Sequence, residues 1–266
     1  MASKEMYALG SQASVIRDLF AYGQEQAAIV GKENVFDFSI GNPTVPAPAC
    51  VKEAIEDILE TRESVAIHGY TAATGDASVR QGLADYMNQT YDAQVRADNF
   101  YMTCGAAASL TISLKALVEG PDDKIILIAP FFPEYTVFVH NANAKAVVLP
   151  PDTEHFQISL DALEKAITPH TRAIIINSPN NPSGVVYSAD FLGLPRQQGE
   201  RIGYVLVPDC AADAQEVYTA VCGAARSMGF VCAPHLFQDV VLKCLGQTGD
   251  MNIYDENRKL RDLLYE

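Results

Sequence analysis

Cations are scarce in this chain. It carries 19 lysines and arginines against 33 aspartates and glutamates, a formal net charge of −14 over 266 residues. A surface that acidic repels phosphate backbones and anionic lipid, so neither nucleic acid nor membrane is an expected partner. One small anionic ligand in a locally positive pocket stays compatible with it. No apolar run reaches the roughly 18–20 residues that span a bilayer. The opening Met1-Ala2-Ser3-Lys4-Glu5 has no apolar signal-peptide core, which leads to the expectation of a cytoplasmic protein. Cysteine pairing is absent too. Cys50, Cys104, Cys210, Cys222, Cys232 and Cys244 include no Cys-x-x-Cys, and the five histidines do not join them at zinc spacing. These read as free thiols in a reducing compartment, with no metal site. Internal repeats, low-complexity tracts and flexible linkers are also missing.

What the chain does have is apolar content. Hydrophobic residues make up 48%, enough to core one large domain or one domain with a small appendage. Ser11–Val30 reads as an amphipathic helix with Val15, Leu19 and Tyr22 on one face. Asn34–Pro48 is an extended segment broken by Pro43, Pro46 and Pro48. Helices are predicted at Cys50–Glu60 and Ala77–Tyr91, with Gly69–Gly75 as a loop between them.

From Asn99 strand and helix alternate. Strands are predicted at Asn99–Thr103, Lys124–Ala129, Ala146–Leu149, Ala173–Ile176 and Ile202–Val207. Helices are predicted at Ala106–Val118, Glu134–Asn143 and Leu160–Ile167, the last capped by Ser159. Lys124–Ala129 and Ala173–Ile176 are continuous apolar runs, as expected of strands buried on both faces. The alternation implies an α/β fold with a mostly parallel sheet covered by helices on both faces. Beyond Pro208 the pattern is helical, at Ala211–Met228, Pro234–Leu245 and Tyr254–Tyr265. Only Val185–Gln198 lies between the segments Asn177–Gly184 and Gly199–Tyr204, a stretch that could barely manage a parallel crossover. Ile202–Val207 is therefore expected to run antiparallel or to lie at a sheet edge.

Three segments carry chemistry. Thr103-Cys104-Gly105-Ala106-Ala107-Ala108 ends a strand and opens a helix. Small residues there let a ligand approach the backbone, and the unpaired N–H groups with the helix dipole attract an anion. Close helix–sheet packing uses the same small residues. Pro130-Phe131-Phe132-Pro133-Glu134-Tyr135 follows a buried strand, at the end of a parallel sheet where ligands bind. An aromatic ring there can stack on a flat ligand, or can simply be core. Asn177-Ser178-Pro179-Asn180-Asn181-Pro182-Ser183-Gly184 is an irregular loop offering two amides, or a plain turn. Arg201 is a natural bidentate partner for phosphate, or a surface partner of Glu200.

In this order the segments resemble the class I/II aminotransferases, the fold-type I enzymes that use pyridoxal phosphate. The resemblance also rests on Ser39-Ile40-Gly41-Asn42-Pro43, His68-Gly69-Tyr70 and Gly199-Glu200-Arg201-Ile202-Gly203-Tyr204. It runs from Met6 to Tyr187 and from Gly199 to Glu266, closest to aspartate- and aromatic-type members. It implies a large cofactor-binding domain over 49–246 with a deletion near 188–199. An N-terminal helix and arm over 1–48, and 247–266 as the start of a truncated C-terminal part, would form an incomplete small domain. It implies that the backbone of Gly105, Ala106 and Ala107 cradles the cofactor phosphate, that Phe132 stacks on its ring, and that Asn181 meets the ring hydroxyl and the substrate carboxylate. Arg201 would pair with the phosphate, Tyr70 would reach the phosphate held by the neighbouring subunit of a homodimer, and Gly41 would line the substrate pocket. The substrates implied are an amino acid and a 2-oxo acid.

Three features of the resembled family have no counterpart. The lysine that tethers the cofactor should shortly precede Gly199, yet residues 188–198 read Ser-Ala-Asp-Phe-Leu-Gly-Leu-Pro-Arg-Gln-Gln. The Asp-Glu-Pro-Tyr-like motif that pairs with the ring nitrogen is absent. So is the arginine on later strands that clamps the substrate carboxylate. That lysine serves as nucleophile, leaving group and general base, and general-base catalysis alone contributes about 10²–10⁴-fold. The expectation is an aminotransferase-family protein of impaired activity. The alternatives are a non-catalytic pseudoenzyme or truncated gene product, and a lyase on the same fold.

Overall fold

A computed structural model describes residues 2–11, 15–36, 47–152, 154–187 and 202–245. Ala49–Met251 forms one compact unit, and Met1–Pro48 belongs to a second. The second unit contains helices α1 (Lys4–Ser11) and α2 (Val15–Val30). The predicted helix is present, but Leu19 and Tyr22 of its predicted apolar face are exposed. An apolar stripe of helical period reports local conformation without specifying what covers it.

In the larger unit, helices α3 (Ala49–Thr61), α4 (Ser64–His68) and α5 (Ala77–Tyr91) precede the first strand. Asp76 caps α5, its carboxylate accepting from the backbone N–H of Ser78 and Val79. Burial raises the pKa of this carboxyl, but the hydrogen bonds from Ser78 and Val79, with His235 nearby, outweigh burial and hold it below the ordinary value.

Strands β1 (Phe100–Thr103), β2 (Lys124–Ile128), β3 (Lys145–Leu149), β4 (Thr171–Ile175) and β5 (Gly203–Leu206) alternate with helices α6 (Ala106–Leu117), α7 (Glu134–Asn141) and α8 (Leu160–Ala166). Helices α9 (Ala214–Met228) and α10 (His235–Cys244) follow. Helix α9 starts three residues later than the sequence suggests. Asp213 stands before it in a left-handed conformation, φ 54°, which no α-helix continues.

Among the described residues the strands form two sheets. Strands β3, β2 and β4 are parallel in that order. Strands β1 and β5 pair antiparallel, Phe100 opposite Leu206 and Thr103 opposite Gly203. The parallel sheet is thus smaller than one continuous mostly parallel sheet, and β5 runs antiparallel to β1 rather than pairing with β4.

Alternation along each strand builds two-sided cores. Ile125 and Leu127 of β2 pack with Leu114 of α6 and Tyr135 and Val139 of α7, while Ile126 and Ile128 pack with Leu163 of α8 and Leu149. Phe100 and Met102 of β1 pack with Val79, Leu83 and Met87 of α5, and Tyr101 packs with Ile112 of α6 and Val221 and Ala225 of α9. Strand β4, expected to be buried, is covered only in part: within it only Ile175 is fully buried. Among the described residues β4 pairs with β2 alone, so one of its edges carries no strand.

No described helix is long and apolar enough to cross a membrane.

Candidate cofactor site

The C-terminal end of β1 runs directly into α6. Gly105 stands at the helix N-cap with φ 114° and ψ 170°, a conformation that disfavours any residue with a Cβ. The Thr103 and Ser109 hydroxyls each lie 3.3 Å from the Gly105 carbonyl oxygen and 2.7 Å from one another, so one donates to the other and the second donates to the carbonyl. They fix the turn from below. No side chain caps the helix, and Ala106 and Ala107 in its first turn are exposed. The first-turn N–H groups, with no partner inside the helix, combine with the positive end of a 12-residue helix to favour an anion.

Beside this turn lies a cavity of about 910 Å³. Ala106, Ser109, Tyr135, Asn177, Gly203 and Tyr204 are among its lining residues. It falls in the size range of small-molecule sites. Its described lining contains neither a lysine nor a carboxylate. Burial of Tyr135 raises its hydroxyl pKa, offset in part by a hydrogen bond with Asn177. Among the described residues no group of three or more histidine, cysteine, aspartate and glutamate side chains could hold a metal ion.

The Asn177–Gly184 loop is organised by Asn180. This side chain is buried and donates to the Pro130 carbonyl at 2.8 Å and to Ser183 Oγ at 2.9 Å. Its backbone accepts from Gly184 N and donates to Val185 O, both at 2.7 Å. The loop after β4 is thereby fastened to the loop after β2, and Asn181 is left exposed. Phe132 sits half-buried against Tyr135, ring centroids 5.7 Å apart and edge to face. Phe131 stacks on the same tyrosine at 6.4 Å.

Of the residues singled out from sequence, Gly105, Ala106 and Ala107 occur at one helix N-terminus, and Phe132 and Asn181 belong to two loops tied together by Asn180. Tyr70 is 95% exposed. Gly41 and Arg201 lie outside the described residues, as do the 188–199 junction and the predicted helix 254–265. Gly203, two residues beyond Arg201, approaches the turn so closely that a Cβ on it would lie 3.0 Å from the Gly105 carbonyl carbon. Tyr135 and Asn177 line the cavity without having been singled out. Both stood inside recognised segments, but only the fold shows which members of those segments face inward.

The family described as aminotransferase class I and II matches residues 33–193. A probable N-succinyldiaminopimelate aminotransferase of Mycobacterium tuberculosis is 30% identical over 191 residues, covering 70% of this chain and 46% of that protein. The aspartate aminotransferase of Thermotoga maritima is 32% identical over 183 residues, covering 68% of this chain and 47% of that protein. The chain spans about half the length of these curated relatives. An aminotransferase structure from Eubacterium rectale is 47% identical, with a TM-score of 0.89, over 100% of this chain and 79% of that one.

Proposed function

The chain belongs to the class I and II aminotransferases, and from that premise we propose that it binds pyridoxal phosphate at the N-terminus of α6 without a covalent tether. Its capacity to transfer an amino group between an amino acid and a 2-oxo acid is on this reading impaired. Members of the family use pyridoxal phosphate. When bound, that group supplies an electron sink for charge developing at the substrate Cα.

Each residue then has a task. Gly105 gives the backbone room to approach the phosphate, and the N–H groups of the first turn of α6 donate to its oxygens. By the resemblance, Arg201 would pair with the phosphate. Phe132 offers a ring face, and Asn181 a side-chain amide for the ring hydroxyl and the substrate carboxylate. Tyr70 serves the phosphate of a second copy in a homodimer. Residues 49–246 form the cofactor-binding domain.

The observation that carries this reading is the uncapped N-terminus of α6, where Gly105 has φ 114° and no side chain caps the helix. The cavity beside it is mostly apolar, with Ser109, Ser113, Tyr135, Asn177 and Tyr204 as its polar side chains. The N-terminus of α6 suits a phosphate, and the described lining of the cavity offers no amine. The expected impairment rests on the sequence, in which residues 188–198 hold no lysine to serve as the base.

The test is a keto-acid assay on purified protein with pyridoxal phosphate, a panel of amino acids and 2-oxoglutarate. The expected result is saturable cofactor binding with product formed no faster than by free pyridoxal phosphate. Sustained multiple turnover overturns the claim of impairment, and failure to bind the cofactor overturns the site.

A further inference from the structure

Gln238, in the first turn of α10, is fully buried, an uncommon place for a side-chain amide. All of its polar capacity is directed at one neighbourhood. Its amide oxygen accepts from the backbone N–H of Asp76 at 2.8 Å. Its amide nitrogen donates to the Ala233 carbonyl at 2.7 Å and to Thr71 Oγ1 at 3.4 Å. One side chain thus holds both ends of the Thr71–Asp76 segment.

The middle of that segment is held as well. Met102 of β1 donates its N–H to the Thr74 carbonyl at 3.0 Å, and Cys232 donates to the Ala73 carbonyl at 3.4 Å. Gly75 has φ +98°, and a Cβ there would stand 2.2 Å from Met102 Cγ and 2.8 Å from the Gln238 amide oxygen. The loop is therefore pressed onto β1 and α10 with no room for a side chain. His235 and Asp239 on the same helix continue the polar contact. His235 Nε2 lies 3.9 Å from Asp76 Oδ2, and Asp239 is paired with Arg62 at 2.6 Å.

The residue immediately before this anchored segment is Tyr70, and it is 95% exposed. A large aromatic carried on a loose loop would have its position fixed only on binding. Here the adjoining backbone is ordered in advance, which lowers the conformational cost of any contact that Tyr70 makes. We propose that Gln238 is a positioning residue. By clamping Thr71–Asp76 it presents Tyr70 to the phosphate of a cofactor held by a second copy of this chain. The inference rests on the cofactor reading above and adds to it the residue that aims the contact.

The test compares affinities for pyridoxal phosphate and for pyridoxal, which lacks the phosphate. Both are titrated by absorbance against wild type, Tyr70→Phe, Gln238→Met, Thr71→Val and the Tyr70→Phe/Gln238→Met double variant. Thr71→Val leaves the two shorter bonds of Gln238 in place and so remains informative if Gln238→Met folds poorly. A charge-assisted bond to phosphate corresponds to about tenfold in affinity, so Tyr70→Phe should lower the preference for pyridoxal phosphate over pyridoxal by about tenfold. Gln238→Met and Thr71→Val should lower that preference by about three- to tenfold and leave pyridoxal binding unchanged. The double variant should be no worse than Tyr70→Phe alone. Equal weakening of both ligands, or additive effects in the double variant, overturns the positioning role and leaves the cofactor site standing. Wild type that binds no pyridoxal phosphate overturns both.

Discussion

Asn180 donates its side-chain amide to the Pro130 carbonyl at 2.8 Å, joining two loops whose partners lie 50 residues apart in sequence. The bond is buried at its amide end, and it holds the segment carrying Asn181 against the segment carrying Phe132. Removing one partner of a buried hydrogen bond leaves the other unsatisfied, at about 1–3 kcal/mol. Asn180→Ala should lose that much stability in urea unfolding. Asn181→Ala, at an exposed neighbour, should stay within about 0.5 kcal/mol of wild type while weakening cofactor binding.

The first turn of α6 separates helix stability from anion binding. An acidic residue near a helix N-terminus stabilises it by about 0.3–1 kcal/mol, but it repels a phosphate at the same place. Ala106→Glu should therefore hold or raise the melting temperature and sharply reduce pyridoxal phosphate affinity. Thermal melts and an absorbance titration on one preparation check both halves.

Gly75 admits no side chain. Both the positive φ and the 2.2 Å approach to Met102 Cγ oppose a Cβ. Gly75→Ala should cost about 2–5 kcal/mol, from backbone strain and from overpacking against β1. Chemical denaturation gives the value.

Burial pushes the Tyr101 hydroxyl up to about 12, with Cys222 and Cys232 nearby adding to the effect. The unfolded chain releases this proton near pH 10 and the folded chain near pH 12. Stability from this group is complete below pH 10 and falls as pH rises toward 12, because there the folded state binds more protons. Tyr101→Phe should flatten the decline in unfolding free energy over that interval. It should also lose a weak bond, since the hydroxyl donates to the Phe230 carbonyl at 3.4 Å.

The local elements were legible because their signals are local. Short apolar runs mark β1, β2 and β3, and Ser159, which accepts from Ala162 N at 3.3 Å, marks the start of α8. Strand β5, expected to run antiparallel or to lie at an edge, runs antiparallel to β1, a partner that the sequence did not name. What escaped was decided at long range. Strand β4 is apolar in sequence yet incompletely covered, because coverage depends on which strand lies at its edge. Asn180 and Asn181 are the same residue type side by side, and only the position of the Pro130 carbonyl makes one a buried anchor and the other an exposed donor. Gln238 looks like an ordinary helix residue until the Thr71–Asp76 loop is laid across it. The strand-to-helix turn read from the sequence at Thr103–Ala108 is present, with Gly105, Ala106 and Ala107 at the N-terminus of α6. The resemblance did not single out Tyr135 and Asn177, whose inward orientation depends on packing.

The central claim is a phosphate-binding cradle without a covalent anchor. The most direct measurement is the intact mass of the protein after saturation with pyridoxal phosphate and reduction with borohydride, paired with an absorbance titration on the same sample. The account predicts saturable binding and an unchanged protein mass. A stoichiometric gain of one reduced pyridoxyl group at a single lysine would contradict it.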